Sequence, residues 1–195
     1  MKKIPTLFVR DPDGRRYVTP EVTPGCEWVP ADEGVATRKF DGTCVMYDGA
    51  LWWARREVKP GKTPPPNFDR LTTDPVTGKS MGWEPIEQSG FAKAHAEALT
   101  KPWAGATGTY ELCGPKVNGN PEGFEVHRLI WHDIAEELDG QGCKRRREAP
   151  RDFEGLRDYL ADFDGEGIVW HHSDGRRAKL KRRDFPRDPQ AGNAA

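Results

Sequence analysis

Residues 39–58 read KFDGTCVMYDGALWWARREV and place one lysine directly before two strand-like segments. TCVMY and ALWWARREV are rich in β-branched and aromatic residues, which favour strands. Asp48-Gly49 between them is a strong signal for a hairpin turn of type I′. The pattern predicts an antiparallel hairpin, with Lys39 at the mouth of the sheet.

Further strand-like segments, separated by turn residues, recur along the chain. TLFVR and RYVTPEV predict an N-terminal hairpin, and TYELCG and FEVHRLIWHDIA predict buried strands. Apolar residues at helical spacing predict helices over 89–99, with Ser89 as N-cap, and over 152–163. Residues 59–80 are rich in Pro, Gly and Thr and predict a long loop. These elements predict an α+β fold of antiparallel sheets flanked by a few helices.

A last hairpin, EGIVW at 166–170 with AKLKRRDF at 178–185, places charged residues close together. Centred on Asp174-Gly175, it would pair Lys181 with Ile168. Side-chain alternation then predicts one charged face and one apolar face. The charged face would carry Glu166, Lys179 and Lys181, and the apolar face Val169 and Leu180.

Length and composition bound the organisation of the chain. The 195 residues, with 35% hydrophobic content and seven Trp, predict one folded domain over 1–185, and the polar residues 186–195 are expected to be disordered. The formal net charge of −1 excludes a general attraction to polyanions, so any nucleic-acid contact must come from local clusters.

Targeting signals are absent from the sequence pattern. The four cysteines have no CxxC spacing, the N-terminus lacks an apolar stretch after its two lysines, and no segment approaches 18 apolar residues. These features predict a reduced, cytoplasmic protein that does not interact with membranes.

The order of the charged motifs points to a particular chemistry. A lone lysine comes first, single carboxylates at Glu111 and Glu166 follow, and two lysines spaced i, i+2 come last. This set suits covalent nucleotidyl transfer, in which a neutral amine attacks the α-phosphorus of a nucleoside triphosphate. Lowering the pKa of a lysine from roughly 10.4 to about 8 needs roughly 3 kcal/mol, which neighbouring cations and a metal can supply.

Several of these motifs also have ordinary structural interpretations. Asp41-Gly42 alone would be a turn, Glu111 a buried ion-pair member, and the last two lysines an exposed strand face. Arg55 and Arg56 fit a solvated strand end as well as phosphate or ribose contacts, with at most one facing a pocket.

Two other groups of residues, a histidine pair and a basic run, indicate less about function. His171-His172 is predicted to be structural, because adjacent strand residues point to opposite faces. The basic run 144–147 is predicted to be solvated charge, an RNA-phosphate contact or a localisation signal.

Six strings, taken together, resemble the covalent nucleotidyltransferase superfamily of DNA ligases, RNA ligases and capping enzymes. They are KFDGT, WARREVKPGK, MGWEPI, YELCGPKVNGNPEG, EGIVW and KLKRRDF, and they are most similar to the compact 5′-to-3′ RNA ligase family. The resemblance covers about residues 34–185. It implies an ATP-grasp-like nucleotidyltransferase fold, without the OB domain that DNA ligases and capping enzymes carry.

The resemblance also implies a reaction and roles for residues. Lys39 would form a lysyl-AMP with ATP, AMP would pass to an RNA 5′-phosphate, and an RNA 3′-hydroxyl would displace it. Glu111 would accept a ribose hydroxyl, and Glu166 would bind Mg²⁺, with Mn²⁺ as a possible substitute. The remaining nucleotide contacts would come from Asp41, Gly42, Arg55, Arg56, Lys179, Lys181 and a flat residue for adenine, Trp131 or its neighbour His132.

Two alternatives stay open at this level. The chain could be a DNA nick ligase or a guanylyltransferase, which nicked DNA or GTP as substrate would reveal. It could also be a non-catalytic module that binds RNA ends or nucleotides, although such a module would need no lysine at position 39.

Overall fold

The computed structural model describes residues 4–13, 17–134 and 148–186. The predicted basic cluster at 144–147 lies outside these residues, as does the predicted disordered tail from residue 187 onward. Contacts within the described residues divide the chain into two compact units. Residues 40–134 form the continuous unit, and residues 4–39 with 148–186 form the split unit. That division does not test the predicted single domain over 1–185, which stays a prediction.

Eleven strands and two helices are formed by the described residues. The helices are α1 (Ala92–Ala98) and α2 (Phe153–Ala161). The strands are β1 (Phe8–Arg10), β2 (Val18–Val22), β3 (Val35–Lys39), β4 (Thr43–Tyr47), β5 (Trp52–Val58), β6 (Asp69–Thr73), β7 (Ser80–Pro85), β8 (Gly108–Cys113), β9 (Arg128–Trp131), β10 (Gly167–His171) and β11 (Arg177–Lys181).

The strands form three sheets in which neighbouring strands run antiparallel. The split unit holds the pair β1-β2 and a three-stranded sheet in the order β11-β10-β3. The continuous unit holds a six-stranded sheet in the order β6-β7-β5-β4-β8-β9. Mixed α+β architecture with antiparallel sheets is therefore confirmed at this coarse level.

Each unit has its own apolar core, built from one face of a sheet. In the split unit, Ile168, Trp170 and Leu180 are fully buried together with Leu156 of α2. Burying a leucine of this kind contributes roughly 2 kcal/mol. In the continuous unit, α1 packs against β8 and β9, and the core includes Val45, Trp52, Tyr110 and Leu112.

The last hairpin has a different register from the predicted one. Lys181 lies opposite Gly167, and Lys179 lies opposite Val169. Residues 173–175 form a three-residue loop, closed by a hydrogen bond of 2.9 Å from the N–H of His172 to the carbonyl of Arg176. A three-residue loop shifts the pairing by one residue relative to a two-residue turn. The prediction that Val169 joins Leu180 on the apolar face is therefore wrong.

The hairpin after Lys39 is present, but its turn is not type I′. Tyr47 pairs with Trp52, and the N–H of Asp48 donates to the carbonyl of Leu51, so Gly49 and Ala50 are the central residues. Gly49 has a φ of 103°, whereas Ala50 is not left-handed. Type I′ requires positive φ at both central residues.

Three other predicted elements have different bounds. The predicted loop 59–80 contains the exposed edge strand β6, because its backbone pairs with β7. The predicted strand FEVHRLIWHDIA is limited to Arg128–Trp131 and continues as a 3-10 turn. The helix predicted from Ser89 begins at Ala92, while Ser89 Oγ accepts from the N–H of Phe91 ahead of it. Helix α2 lies within its predicted range and is capped by Asp152.

Membrane-spanning character was tested on the described residues. Neither α1 nor α2 has the length and apolar composition needed to cross a bilayer.

Candidate active site

Three residues of the split unit lie opposite one another across its three-stranded sheet. Gly167 on β10 is the direct partner of Lys39 on β3 and of Lys181 on β11. Directly paired residues of an antiparallel sheet point to the same face, so the two lysines flank a position without a side chain. A Cβ at Gly167 would lie 2.1 Å from the carbonyl oxygen of Leu180. Glycine is therefore required at this position.

The carboxylate of Glu166 joins the two lysines. Lys39 Nζ donates to Oε2 of Glu166, and Lys181 Nζ donates to Oε1. All three side chains are largely buried, with 18% of Lys39, 14% of Lys181 and 9% of Glu166 exposed. Arg183 lies at the rim, with Nη2 3.9 Å from Oε1 and 75% of its side chain exposed.

Electrostatics hold Glu166 in its ionised form. Burial by itself raises the pKa of this carboxyl, but attraction from Lys39 and hydrogen bonds from Lys181 and Lys39 outweigh burial and leave the pKa below its ordinary value. One carboxylate thus serves two ammonium groups, and the cluster has a positive net charge.

Lys179 lies on the same face as Lys181, one pair of residues further from the strand end. It is opposite Val169, which in turn pairs with Thr37 on β3. Its backbone is fixed on the other side by hydrogen bonds with Pro5 and Leu7. The prediction that Lys179 and Lys181 share one face is confirmed by this alternation. Glu166 precedes β10, and its carboxylate reaches Lys181 by direct contact and not through strand alternation.

Glu111 is the centre of a hydrogen-bond network in the continuous unit. Its Oε1 accepts the N–H of Gly42 at 3.0 Å, and its Oε2 lies 3.0 Å from Nε2 of His132. The other ring nitrogen of His132, Nδ1, lies 2.9 Å from Oγ1 of Thr109. The ring is thus held in one orientation between two polar side chains.

The loop GPKVNGNPEG at 114–123 binds the backbone of the segment that follows Lys39 in sequence. Glu122 Oε1 accepts the N–H of Asp41 at 2.8 Å, and Asn118 Nδ2 donates to the carbonyl of Gly42. Asn118 and Asn120 have φ values of 49° and 57°, a conformation that asparagine tolerates better than most residues. A Cβ at Gly42 would lie 2.2 Å from the carbonyl oxygen of Leu112, so this position also requires glycine.

The adjacent arginines on β5 point to opposite faces of the six-stranded sheet. Arg55 hydrogen-bonds the thiol of Cys44, which lies opposite Glu111 on the neighbouring strand. Arg56 lies on the other face, with Nη1 3.8 Å from Oε1 of Glu84. Only Arg55 therefore shares the face of Glu111. Burial, followed by the charge of Glu111, raises the pKa of Cys44 to about 12, so this thiol is neutral and not a nucleophile.

Trp131 does not join Glu111. It pairs with the buried Tyr110, with 6.5 Å between ring centroids, on the face that packs against the core. His132, the next residue, contacts Glu111 directly. Of the two residues predicted as candidates for the adenine contact, His132 lies beside Glu111 and Trp131 does not.

Asn118 and Glu122 were not singled out from the sequence. The glycine- and asparagine-rich loop marked the region as a place where ligand sites are built. No local signal showed which of its side chains would turn back onto residues 41 and 42, because those partners are far away along the chain.

Metal binding would depend on Glu166. Among residues 4–13, 17–134 and 148–186, no group of three or more His, Cys, Asp or Glu side chains could hold a metal ion. Mg²⁺ commonly uses one or two carboxylates and completes its shell with phosphate and water, so a single carboxylate fits this ion when a triphosphate is bound. Both carboxylate oxygens are engaged by lysines, so the ion would have to compete with an ammonium group.

Comparisons with protein-family models and with curated proteins identify no match. No protein-family model matches the chain, and no curated protein is significantly similar to it. A functional assignment therefore depends on these residues and their geometry.

Proposed function

We propose that this protein is an ATP- and Mg²⁺-dependent RNA ligase that forms a covalent lysyl-AMP on Lys39. It would join RNA 5′-phosphate to 3′-hydroxyl ends on an ATP-grasp-like nucleotidyltransferase fold. The observation that carries the proposal is the buried cluster in which Lys39 and Lys181 share the carboxylate of Glu166. A structural ion pair needs one cation per carboxylate, whereas a site for a triphosphate needs surplus positive charge.

Lys39 performs the first chemical step. Its Nζ loses a proton and attacks the α-phosphorus of ATP; the N–P bond forms, the bond to the bridging oxygen of the β-phosphate breaks, and pyrophosphate leaves. A second proton leaves the nitrogen as the phosphoramidate forms. Lys181 stabilises the charge that develops on the α-phosphoryl oxygens, and Lys179 lies on the same face.

Glu166 has two partners in this scheme. In the resting cluster it holds the proton on Lys39, as its hydrogen bond with Nζ implies. Glu166 would hold Mg²⁺, or Mn²⁺ in its place, and the ion would supply positive charge against the phosphates. Withdrawing the carboxylate from Lys39 then favours the neutral, nucleophilic amine.

Within the continuous unit, the proposal assigns nucleoside contacts to residues on one face of its sheet. Glu111 is the acceptor for a ribose hydroxyl, and the oriented ring of His132 is the flat group for adenine. Arg55 is the arginine available for phosphate or ribose. Arg56 and Trp131 lie on the other face of the sheet and are left without a role in ATP binding.

The ligation itself follows from the lysyl-AMP. The RNA 5′-phosphate attacks the phosphorus of the adenylate, which releases Lys39 and gives an RNA with a 5′-5′ linked AMP. The 3′-hydroxyl of another RNA end then attacks the 5′-phosphorus, forms the phosphodiester and releases AMP.

The decisive experiment is intact-mass analysis of the purified protein incubated with ATP and Mg²⁺. The wild type should gain the mass of one AMP, and Lys39→Ala should not. Lys93→Ala, a change of an exposed lysine on α1, is the matched control and should be adenylated like the wild type. An AMP adduct that persists in Lys39→Ala would contradict the proposal.

Substrate assays then separate the alternatives. A GMP adduct would indicate a guanylyltransferase, and sealing of nicked DNA in preference to RNA ends would indicate a DNA ligase. RNA binding without any adduct would indicate a non-catalytic module.

A further inference from the structure

The continuous unit contains a second feature that the proposed ATP chemistry does not use. A cavity of 610 Å³ opens beside β9, the edge strand of the six-stranded sheet. Its walls come from residues 101–104, which follow α1, and residues 126 and 128–131. Cavities of roughly 300–1,000 Å³ hold small ligands, so one nucleotide fits this space.

Two tryptophans in the wall are held firmly but remain partly exposed. Trp103 packs edge-to-face on Trp52, with 5.1 Å between ring centroids, and Trp131 stacks on Tyr110 at 6.5 Å. Both belong to the shell around the core of this unit. Fixed aromatic rings at the surface are the platforms on which unpaired bases stack.

All ionisable residues in the wall are cations. Lys101 and Arg128 line the cavity, both are exposed, and no carboxylate does so among the described residues. Glu97 on α1 is engaged by His127 at 2.9 Å. Asp133, whose charge adds to burial in raising the pKa of Tyr110, does not line the cavity. Cations beside aromatic rings complement the phosphates and bases of a single strand.

The open edge of β9 could in principle accept a peptide strand instead. That edge is four residues long and begins with the exposed Arg128. Short, charged edge strands discourage added β-pairing. The chemistry of the cavity therefore favours a nucleic-acid strand over a peptide.

We propose that this cavity binds one unpaired nucleotide of the RNA substrate, with its base against Trp103 and Trp131 and its phosphate between Lys101 and Arg128. The choice of RNA as the strand rests on the proposed ligase function. The cavity itself is a site for the polymer, separate from the residues assigned to ATP chemistry.

The first test measures RNA affinity by fluorescence anisotropy with an unstructured, 5′-phosphorylated single strand. The double variant Lys101→Gln/Arg128→Gln removes two cations from exposed positions, and Lys93→Gln is the control. Loss of two phosphate contacts should reduce the slope of log K against log salt by about 1.4, since each contact contributes about 0.7 for single strands. Affinity at low salt should fall about tenfold, and the control should match the wild type.

A second measurement tests the stacking. An RNA that carries the fluorescent base 2-aminopurine should be quenched on binding, and Trp103→Phe or Trp131→Phe should weaken that quenching while preserving an aromatic core. An unchanged salt slope in the double variant, or quenching that neither Trp substitution alters, would overturn the proposal. Binding of an extended peptide, lost in the double variant while RNA binding is kept, would overturn it as well.

Adenylation without RNA distinguishes failure of this site from failure of the ligase proposal. The double variant should form lysyl-AMP at the wild-type rate but transfer AMP about tenfold more slowly to limiting RNA, with recovery at saturating RNA. If the wild type forms no lysyl-AMP, the ligase proposal fails, and the salt and stacking comparisons still decide whether the cavity binds RNA.

Discussion

The two units present two differently constructed polar faces. In the split unit, Glu166 contacts Lys39 and Lys181 directly, side chain to side chain, across a row of three strands. In the continuous unit, Glu111 and Glu122 accept hydrogen bonds from the backbone of residues 42 and 41. The first face is thus a cluster of charges, and the second is a network that shapes a backbone segment.

The difference shows how each face depends on its surroundings. In the charge cluster, strand pairing and direct contacts position the side chains. A change in the charge of one side chain alters its interactions with the others. In the side-chain-to-backbone network, hydrogen bonds fix the position of a chain segment. Weakening an acceptor loosens that segment. Substitutions in the split unit should therefore alter chemistry most, and substitutions in the continuous unit should alter local order most.

Removing a cation from the charge cluster should have the largest effect. Lys181→Gln leaves Lys39 as the remaining buried lysine on Glu166 and removes a cation proposed to stabilise the α-phosphoryl oxygens. Losing one such group costs about 10²–10³ in rate, so we expect lysyl-AMP formation to fall about 1,000-fold. Single-turnover adenylation with α-labelled ATP measures it. Arg182→Gln, an exposed change next in sequence, is the control, and equal losses in both variants would contradict a specific role for Lys181.

Adding a side chain at Gly167, between the two lysines, should disrupt the same face through a steric clash, with no change in charge. Gly167→Ala places a Cβ 2.1 Å from the carbonyl oxygen of Leu180, so β10 and β11 must separate. We expect a loss of about 2–3 kcal/mol in the free energy of unfolding, measured by urea denaturation.

A glycine in open space provides the comparison for that variant. A Cβ at Gly90 would meet no heavy atom of the described residues within 4 Å, and Gly90→Ala should change stability by less than about 0.5 kcal/mol. Similar stability of the two alanine variants would show that the contact at Gly167 is easily relieved.

Weakening a side-chain acceptor of a backbone N–H in the continuous unit should have a smaller, local effect. Glu122→Gln replaces the carboxylate that accepts the N–H of Asp41 with a neutral amide. We expect a cost of about 1 kcal/mol and faster hydrogen exchange at the amide of Asp41. Glu125→Gln, a change of an exposed residue just after that loop, should leave that exchange rate unchanged. Unaltered exchange in Glu122→Gln would mean that the loop does not hold this segment.

The pH dependence of the charge cluster should give the smallest effect. The pKa of Glu166 in the folded protein lies below its ordinary value, so the native state binds fewer protons here than the unfolded state. Its stabilisation is fully present above the unfolded pKa of about 4.5 and is lost as pH falls through the folded pKa.

Comparison of the wild type with Glu166→Gln isolates that contribution. The difference in their unfolding free energies should be constant above about pH 5.5 and should shrink below about pH 4.5. Glu154→Gln on α2 is the exposed control. A difference that grows on acidification would show that Glu166 is not stabilised as an anion.

Part of the split unit was predictable because its last hairpin depends on local rules. The i, i+2 spacing of Lys179 and Lys181 determined that they share a face, and Glu166 beside the strand start was expected among them. The register was not predictable from the turn residues, because Asp174-Gly175 fits both a two-residue and a three-residue loop. That one-residue difference moved Val169 from the expected apolar face to the face of the lysines.

The continuous unit was less predictable, because its contacts join distant parts of the chain. The turn at Gly49-Ala50, the edge strand β6 and the pairing of Trp131 with Tyr110 all depend on which strands pair. Propensity within a short window carries no information on such partners.

The sequence by itself determined the antiparallel α+β architecture, the two helices, and the sharing of one face by Lys179 and Lys181, because hydrophobic periodicity and strand alternation are local properties. Only the tertiary structure decided that Lys39 meets Glu166 and Lys181 across Gly167, and that Asn118 and Glu122 bind the backbone of residues 41 and 42. Those contacts join residues far apart in the chain, and the pairing of strands and the packing of loops, which no local pattern encodes, bring them together.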